Sequence, residues 1–279
     1  MIHTFQAPIS LAIANIFFTG SFSLVKYLSN AVPIETIMLF RFMAGPIFLI
    51  PFFLVKKKKL IIKSYPLFFL RVFFGISAMS CLFLSFKYGS IGKSMLIFEC
   101  STIWTLLIGY YVYNNKPHPY SLWSIPFAFV GLFLILKPTG LLLFNLGDIF
   151  ALIGSFFNTG VYITLKKLRN HHDSITIVLV AYFLSSIILI IPNSLNFPMI
   201  IPSHLYLLCI MCSIGLIGQM LMTYGFKFSS AGVCSLLMLI NVPLTTISGI
   251  VFFNESYTLS AIFGIILVFC SLITIARWQ

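Results

Sequence analysis

Residues 87–114 read KYGSIGKSMLIFECSTIWTLLIGYYVYN, and residues 227–254 read KFSSAGVCSLLMLINVPLTTISGIVFFN. They align without a gap at an offset of 140: Lys87, Ser90, Gly92, Leu96, Thr105, Gly109 and Asn114 recur as Lys227, Ser230, Gly232, Leu236, Thr245, Gly249 and Asn254. The same offset relates residues 11–28 to 151–168, where Ile13, Phe17, Thr19, Gly20, Lys26 and Leu28 recur as Ile153, Phe157, Thr159, Gly160, Lys166 and Leu168. A chain rich in Leu, Ile, Phe and Ser matches itself often by composition alone. Shared Gly, Thr, Lys and Asn at one constant spacing are harder to obtain that way, and duplication of one unit is the simplest cause.

That unit belongs in a bilayer. Sixty per cent of the 279 residues are hydrophobic and 8% are charged, against about 25% charged in soluble domains; the mean hydropathy is +1.07. Lipid offers no partner for backbone N–H and C=O groups, and long continuous apolar runs are not the alternating pattern of a membrane barrel, so the expected fold is all-α and polytopic. An apolar helix crosses the hydrocarbon core in about 20 residues. Ten transmembrane helices are expected, near 8–27, 34–55, 66–86, 90–111, 120–137, 147–166, 174–192, 204–225, 230–252 and 257–276.

The net charge of +12 is no sign of nucleic acid binding, because of where it sits. With both termini cytoplasmic, Lys56, Lys57, Lys58, Lys59, Lys63, Lys116, Lys166, Lys167, Arg169, Lys227 and Arg277 fall inside, and only Lys26, Lys87 and Lys137 fall clearly outside. This is the positive-inside asymmetry that fixes orientation. Five spans per unit is odd, so the second unit enters from the opposite face. The expected domains are residues 1–139 and 140–279, two inverted five-helix repeats that present similar inward-open and outward-open states around a midplane site. The first apolar segment has no Lys or Arg in its leading stretch and matches 151–168, which places it in the fold rather than in a cleaved signal peptide.

Charge within a span is costly and marks a functional site by default. Arg41 and Glu99 lie roughly 10 Å and 13 Å below the outer ends of their spans at about 1.5 Å per residue. The expected substrate site therefore holds Arg41, anchoring a carboxylate or phosphate or ordering Glu99, and Glu99, receiving an amine or a proton; the alternative is a static ion pair between the two. Asn15, Asn158 and Gln219 are in-span amides able to bind a polar ligand or neighbouring helices. Arg71 and Lys93 lie nearer span ends, where snorkelling explains them. Ser94, Phe98, Ser101, Thr105 and Gly109, with Cys234, Met238, Asn241, Thr245 and Gly249, form matching small-residue stripes that predict a seam between spans four and nine. Pro243 predicts a kink in span nine.

Other chemistries find no support. His3, His118, His171, His172 and His204 all fall in loops or near span ends, with His171 and His172 read as solvated, and no H-E-x-x-H occurs. Cys209 and Cys212 form a C-x-x-C inside an apolar helix without thioredoxin-like context and read as packing residues. No phosphate-binding loop is present, so the energy source is a gradient or an exchanged solute. No cofactor, no metal and no enzymatic activity are expected, although an embedded Glu beside amides leaves an intramembrane enzyme as the alternative from another class.

Several stretches resemble the EamA-type ten-span members of the drug/metabolite transporter superfamily. They are Phe18-Thr19-Gly20-Ser21-Phe22 with Lys26; Pro33 to Arg41 followed by Phe42-Met43-Ala44; Arg71-Val72-Phe73-Phe74-Gly75 and Phe86-Lys87-Tyr88; Gly147-Asp148; Gly218-Gln219-Met220-Leu221-Met222; and Phe253-Asn254-Glu255. The chain departs from the pattern at Asn114-Asn115-Lys116-Pro117, where a Glu often follows the fourth span. The resemblance implies a central cavity formed by spans one to four and six to nine, and a permease working by alternating access. The expected partners are the lipid bilayer, a small-molecule substrate, a coupling proton or counter-substrate, and a second copy as an allowed homodimer, in a bacterial cytoplasmic (inner) membrane. Export of an amino acid or related small polar metabolite is the leading expectation, and uptake or exchange of S-adenosylmethionine or a nucleotide-like compound is the alternative.

Overall fold

A computed structural model describes residues 6–56, 62–113, 145–195, 198, 200–256 and short helical pieces within 126–134 and 259–271. Ten helices with assigned bounds occupy it: α1 (Gln6–Leu28), α2 (Ile34–Val55), α3 (Tyr65–Tyr88), α4 (Ile91–Glu99), α5 (Ser101–Tyr113), α6 (Leu146–Arg169), α7 (Ser174–Leu195), α8 (Pro202–Gly225), α9 (Ala231–Met238) and α10 (Asn241–Phe253). Because α4–α5 and α9–α10 each act as one interrupted crossing, eight stretches among the described residues are long and apolar enough to span a membrane. These match the expected spans one to four and six to nine. The fifth and tenth expected spans fall largely outside the described residues.

The distribution of side chains is that of a protein dissolved in lipid. Ile16, Leu54, Phe69, Ile191, Tyr206 and Phe252 are all more than 60% exposed, while Asn15, Arg41, Glu99, Ser101, Thr102, Thr105 and Asn241 are 0–1% exposed. Apolar surface turned outward costs nothing where the solvent is hydrocarbon, and polar groups gather where they find one another.

Helix ends follow local chemistry. Asn145 caps α6 by accepting from the Asp148 N–H at 2.9 Å, and Asp148 Oδ2 accepts from the Asn145 N–H at 2.9 Å, a reciprocal arrangement that satisfies two otherwise orphaned donors. Pro66 and Pro202 stand in the first turns of α3 and α8, where a missing N–H is harmless. Asn254 ends α10 in the left-handed region at φ 51°, one of the few non-glycine residues that tolerate it.

The most extensive interfaces pair α1 with α8 and α3 with α6, followed by α2 with α7. Related contacts recur at the offset of 140. Lys26 Nζ donates to the Phe86 and Gly89 carbonyls at the end of α3, and Lys166 Nζ donates to the Phe226 and Lys227 carbonyls at the end of α8; cations at helix C-termini meet the negative end of the dipole. Gly20 faces Ile214 and Gly160 faces Phe74. Spans four and nine do meet, but chiefly through neighbours of the expected stripes: Thr102 Oγ1 donates to the Ser235 carbonyl at 3.1 Å, Gly232 abuts Leu106, and Gly249 abuts Ile91. The bundle thus has one end bearing Lys93, Asp148 and Glu255, and an opposite end bearing Lys63, His172 and Lys227.

Two expectations about the surface need correction. His172 is buried, not solvated: its Nε2 lies 2.7 Å from the Lys63 carbonyl and its ring packs 5.2 Å from Phe68. Lys93 does not snorkel. It is buried in an ion pair with Asp148 Oδ2 at 2.7 Å, because the start of α6 approaches the start of α4 closely enough to exclude solvent.

Close packing makes the glycines sensitive. A Cβ on Gly160 would lie about 2.5 Å from the root of the Phe74 ring, whereas one on Gly20 would meet only the tip of Ile214 at 3.3 Å. Gly160→Ala is expected to cost about 1–3 kcal/mol and Gly20→Ala less, as read by thermal unfolding of the purified protein in detergent; equal effects would contradict the packing described.

Candidate functional site

A cavity lies at the centre of the bundle, lined from α1–α4 and α6–α10, the spans expected from sequence. Its volume of about 50 Å³ is enough for a few waters. Four of the five expected site residues line it: Arg41 from α2, Glu99 from α4, Asn158 from α6 and Gln219 from α8. Asn15 does not appear on its lining. The Asn15 amide instead donates to the Leu237 carbonyl at 3.1 Å.

The cavity lies where two helices break. Around Cys100 the backbone tightens, with Cys100 N–H donating to Ile97 and Ile103 N–H to Cys100. The second break follows α9, where Leu239 N–H donates to Leu236 and Val242 N–H to Leu239. Pro243 accounts for this one: it has no N–H for the Leu239 carbonyl four residues earlier, and its ring crowds that carbonyl. No proline stands at the first break. The breaks are 140 residues apart, and they place Phe98 and Glu99 on one side of the cavity and Met238 and Asn241 on another. Polar side chains serve backbone carbonyls near the breaks, Asn15 at Leu237 and Thr159 at Ser101, as irregular backbone at membrane depth requires.

The two expected charges do not pair. Arg41 Nη1 donates to Ser21 Oγ at 2.9 Å, and its Nε and Nη2 have no hydrogen-bond partner. Its guanidinium lies 5.7–5.9 Å from the ring centroids of Phe18, Phe22 and Phe83, within the range of cation–π attraction. Gly215 makes room for it, since a Cβ there would come about 2.5 Å from Nη1. Glu99 faces elsewhere, accepting a long hydrogen bond from Tyr162 at 3.4 Å, with Asn241 and Ser101 as its other polar neighbours. The static-pair alternative for Arg41 and Glu99 therefore fails on geometry.

A second arginine lines the same cavity. Arg71 is 6% exposed, so snorkelling does not describe it. Its guanidinium extends along α3 over Gly75, with Nη1 3.7 Å from where a Cβ would stand. Spacing from the span end suggested escape to the interface, but the side chain lines the cavity instead; distance along a helix does not tell which way a side chain turns. Tyr162 and Tyr182 were not singled out from sequence either, because one Tyr among many aromatics carries no distinguishing pattern.

These features define a polytopic helical membrane protein with a buried, charged, central cavity between interrupted helices. The chain belongs to the EamA-like transporter family, whose model matches residues 6–137 and 145–277. It is 24% identical over 217 residues to an uncharacterized transporter of Helicobacter pylori, covering 74% of this chain and 72% of that protein. It is 22% identical over 271 residues to the pseudopaline exporter CntI of Pseudomonas aeruginosa, covering 95% and 94%. A crystal structure 13% identical in sequence superposes over 96% of both chains with a TM-score of 0.75, a likeness of fold.

The Lys93–Asp148 pair ties the start of α4 to the start of α6. Lys93→Met alone leaves a buried carboxylate unpaired and is expected to cost about 3–5 kcal/mol. Adding Asp148→Asn, which preserves the cap on α6, should restore part of that loss; chemical denaturation of the three proteins decides it, and strictly additive losses would contradict a buried pair.

Proposed function

We propose that the protein is a secondary active transporter, not an enzyme, that moves a small polar organic metabolite across the bacterial cytoplasmic membrane by alternating access. The observation that carries this reading is the convergence of Arg41, Glu99, Asn158 and Gln219, from four different helices, on one cavity between two helix breaks. Discontinuous helices at the midplane are a recurrent way of building a solute site in transporters. In this reading Arg41 anchors an acidic group of the substrate, Glu99 receives an amine or a coupling proton, and Asn158 and Gln219 orient polar groups. Asn15 braces the second break.

We read the architecture as ten spans in two inverted five-helix repeats, residues 1–139 and 140–279. Three observations support this. The family model matches the chain twice. The α1–α8 and α3–α6 interfaces exchange under an offset of 140, with equivalent lysine and glycine contacts in each. Finally, α5 runs toward the end where α9 begins, whereas α6 begins at the Lys93 end, which calls for a further crossing between them. Lys56, Lys63, Lys166, Lys167, Arg169 and Lys227 cluster at the opposite end from Glu35, Asp148 and Glu255, which supports a cytoplasmic His172 end and cytoplasmic termini.

Export of an amino acid or related compound is the leading direction, supported by a relative named as an exporter. Two arginines against one carboxylate in the cavity favour an acidic solute over a cationic one. That places S-adenosylmethionine second.

Reconstituted in liposomes, the protein should move a labelled amino acid or related acid from a broad solute panel. Arg41→Ala and Glu99→Gln should each slow movement at least about tenfold, the scale of a lost charge-assisted contact, while remaining monodisperse and inserted. Wild-type rates in both variants would remove these residues from the site.

A further inference from the structure

We infer that the cavity takes a ligand with two anionic groups, one held by Arg41 and the other by Arg71. This deepens the transport reading and rests on it only for the claim that the bound ligand is carried.

Orphaned donors come first. Arg41 is fully buried with Nε and Nη2 unpartnered, and Arg71 is 6% exposed with Nε unpartnered. A buried guanidinium presents five N–H donors and cannot shed its proton, so each orphan calls for an acceptor. Neither guanidinium meets an acid: the Glu99 carboxylate is turned toward Tyr162, Asn241 and Ser101. Even with Glu99 ionised, the cavity keeps one positive charge in excess, and charge buried at membrane depth is costly without a counter-charge.

Room is built for both heads. A Cβ on Gly215 would come about 2.5 Å from Arg41 Nη1, and one on Gly75 would lie 3.7 Å from Arg71 Nη1. Those two glycines are separated by the same 140 residues that relate the halves of the chain, although only Gly215 must lack a side chain to seat its arginine, which comes from another helix. Arg41, Arg71 and Tyr182 all line this one cavity, with the Tyr182 phenol close to both guanidiniums. A planar fork matches a carboxylate or phosphate in two parallel hydrogen bonds. Two forks select a ligand with two such groups, and the rings of Phe18 and Phe22 line the same cavity.

The test uses the full-length protein purified in detergent, followed by thermal unfolding at constant ionic strength in acetate, glutarate, inorganic phosphate or pyrophosphate. Glutarate or pyrophosphate is expected to raise Tm at concentrations at least about tenfold below those acetate needs, the size of one added charge-assisted contact. Stabilisation by glutarate but not by pyrophosphate identifies a dicarboxylate; the reverse identifies a phosphate-bearing ligand. Arg71→Gln should abolish the advantage over acetate while leaving acetate's own effect within about twofold, and Arg71→Lys should keep part of it. The inference is overturned if neither glutarate nor pyrophosphate outperforms acetate on the wild-type protein, or if Arg71→Gln responds as wild type does. The two readings also fail separately. Vesicles carrying a neutral or cationic solute at full rate in Arg71→Gln would remove the two-anion ligand and keep the transporter, whereas dianion binding without any solute movement would do the opposite.

Discussion

A guanidinium buried at membrane depth is the constraint around which this bundle is arranged. In hydrocarbon it has neither water nor a ready counter-ion, so the fold must surround it with polar atoms and aromatic faces drawn from other helices. Arg41 receives Ser21 from α1, three phenylalanine rings and a notch in α8 at Gly215. Each contact ties one helix to another. The α1–α8 pair is braced by the same group, since Ser21 Oγ, which accepts from Arg41, also donates to the Met211 carbonyl at 3.1 Å.

The same accounting governs the backbone. Interrupting α9–α10 leaves carbonyls in a place without water, where Asn15 and Thr102 from other helices reach Leu237 and Ser235, and Asn158 and Thr159 hold Ser101 beside the other break. The breaks direct Glu99 and Asn241 into the cavity. A continuous helix there would satisfy its own backbone and leave less reason for polar side chains to gather. Cavity, interruptions and buried hydroxyls form one arrangement, with the Lys93–Asp148 pair tying the starts of α4 and α6.

Much of this was legible in the chain because a bilayer imposes long apolar runs, and buried charge stands out against them. Arg41 and Glu99 were visible as ions inside otherwise apolar spans, and Pro243 marked one interruption by its missing donor. The interruption at Cys100 was not legible, since no residue there lacks a donor and its tight turn rests on tertiary partners such as Asn158 and Thr159. Arg71 and Lys93 were misjudged for one shared reason: distance along a helix says how far a side chain is from the interface but not which way it turns. Arg71 turns into the cavity, and Asp148 holds Lys93. Asn15 had the composition of a ligand contact and the geometry of a brace.

Access to the cavity from both faces tests the account most directly. With the six native cysteines replaced, Ser185→Cys places a thiol on the cavity lining, to be probed by a small water-soluble thiol reagent in right-side-out and inverted vesicles. Reaction from either side, each suppressed when the carried solute is present, is the result expected of a solute site that opens alternately. Reaction from one side only, or from neither under any condition, would contradict it.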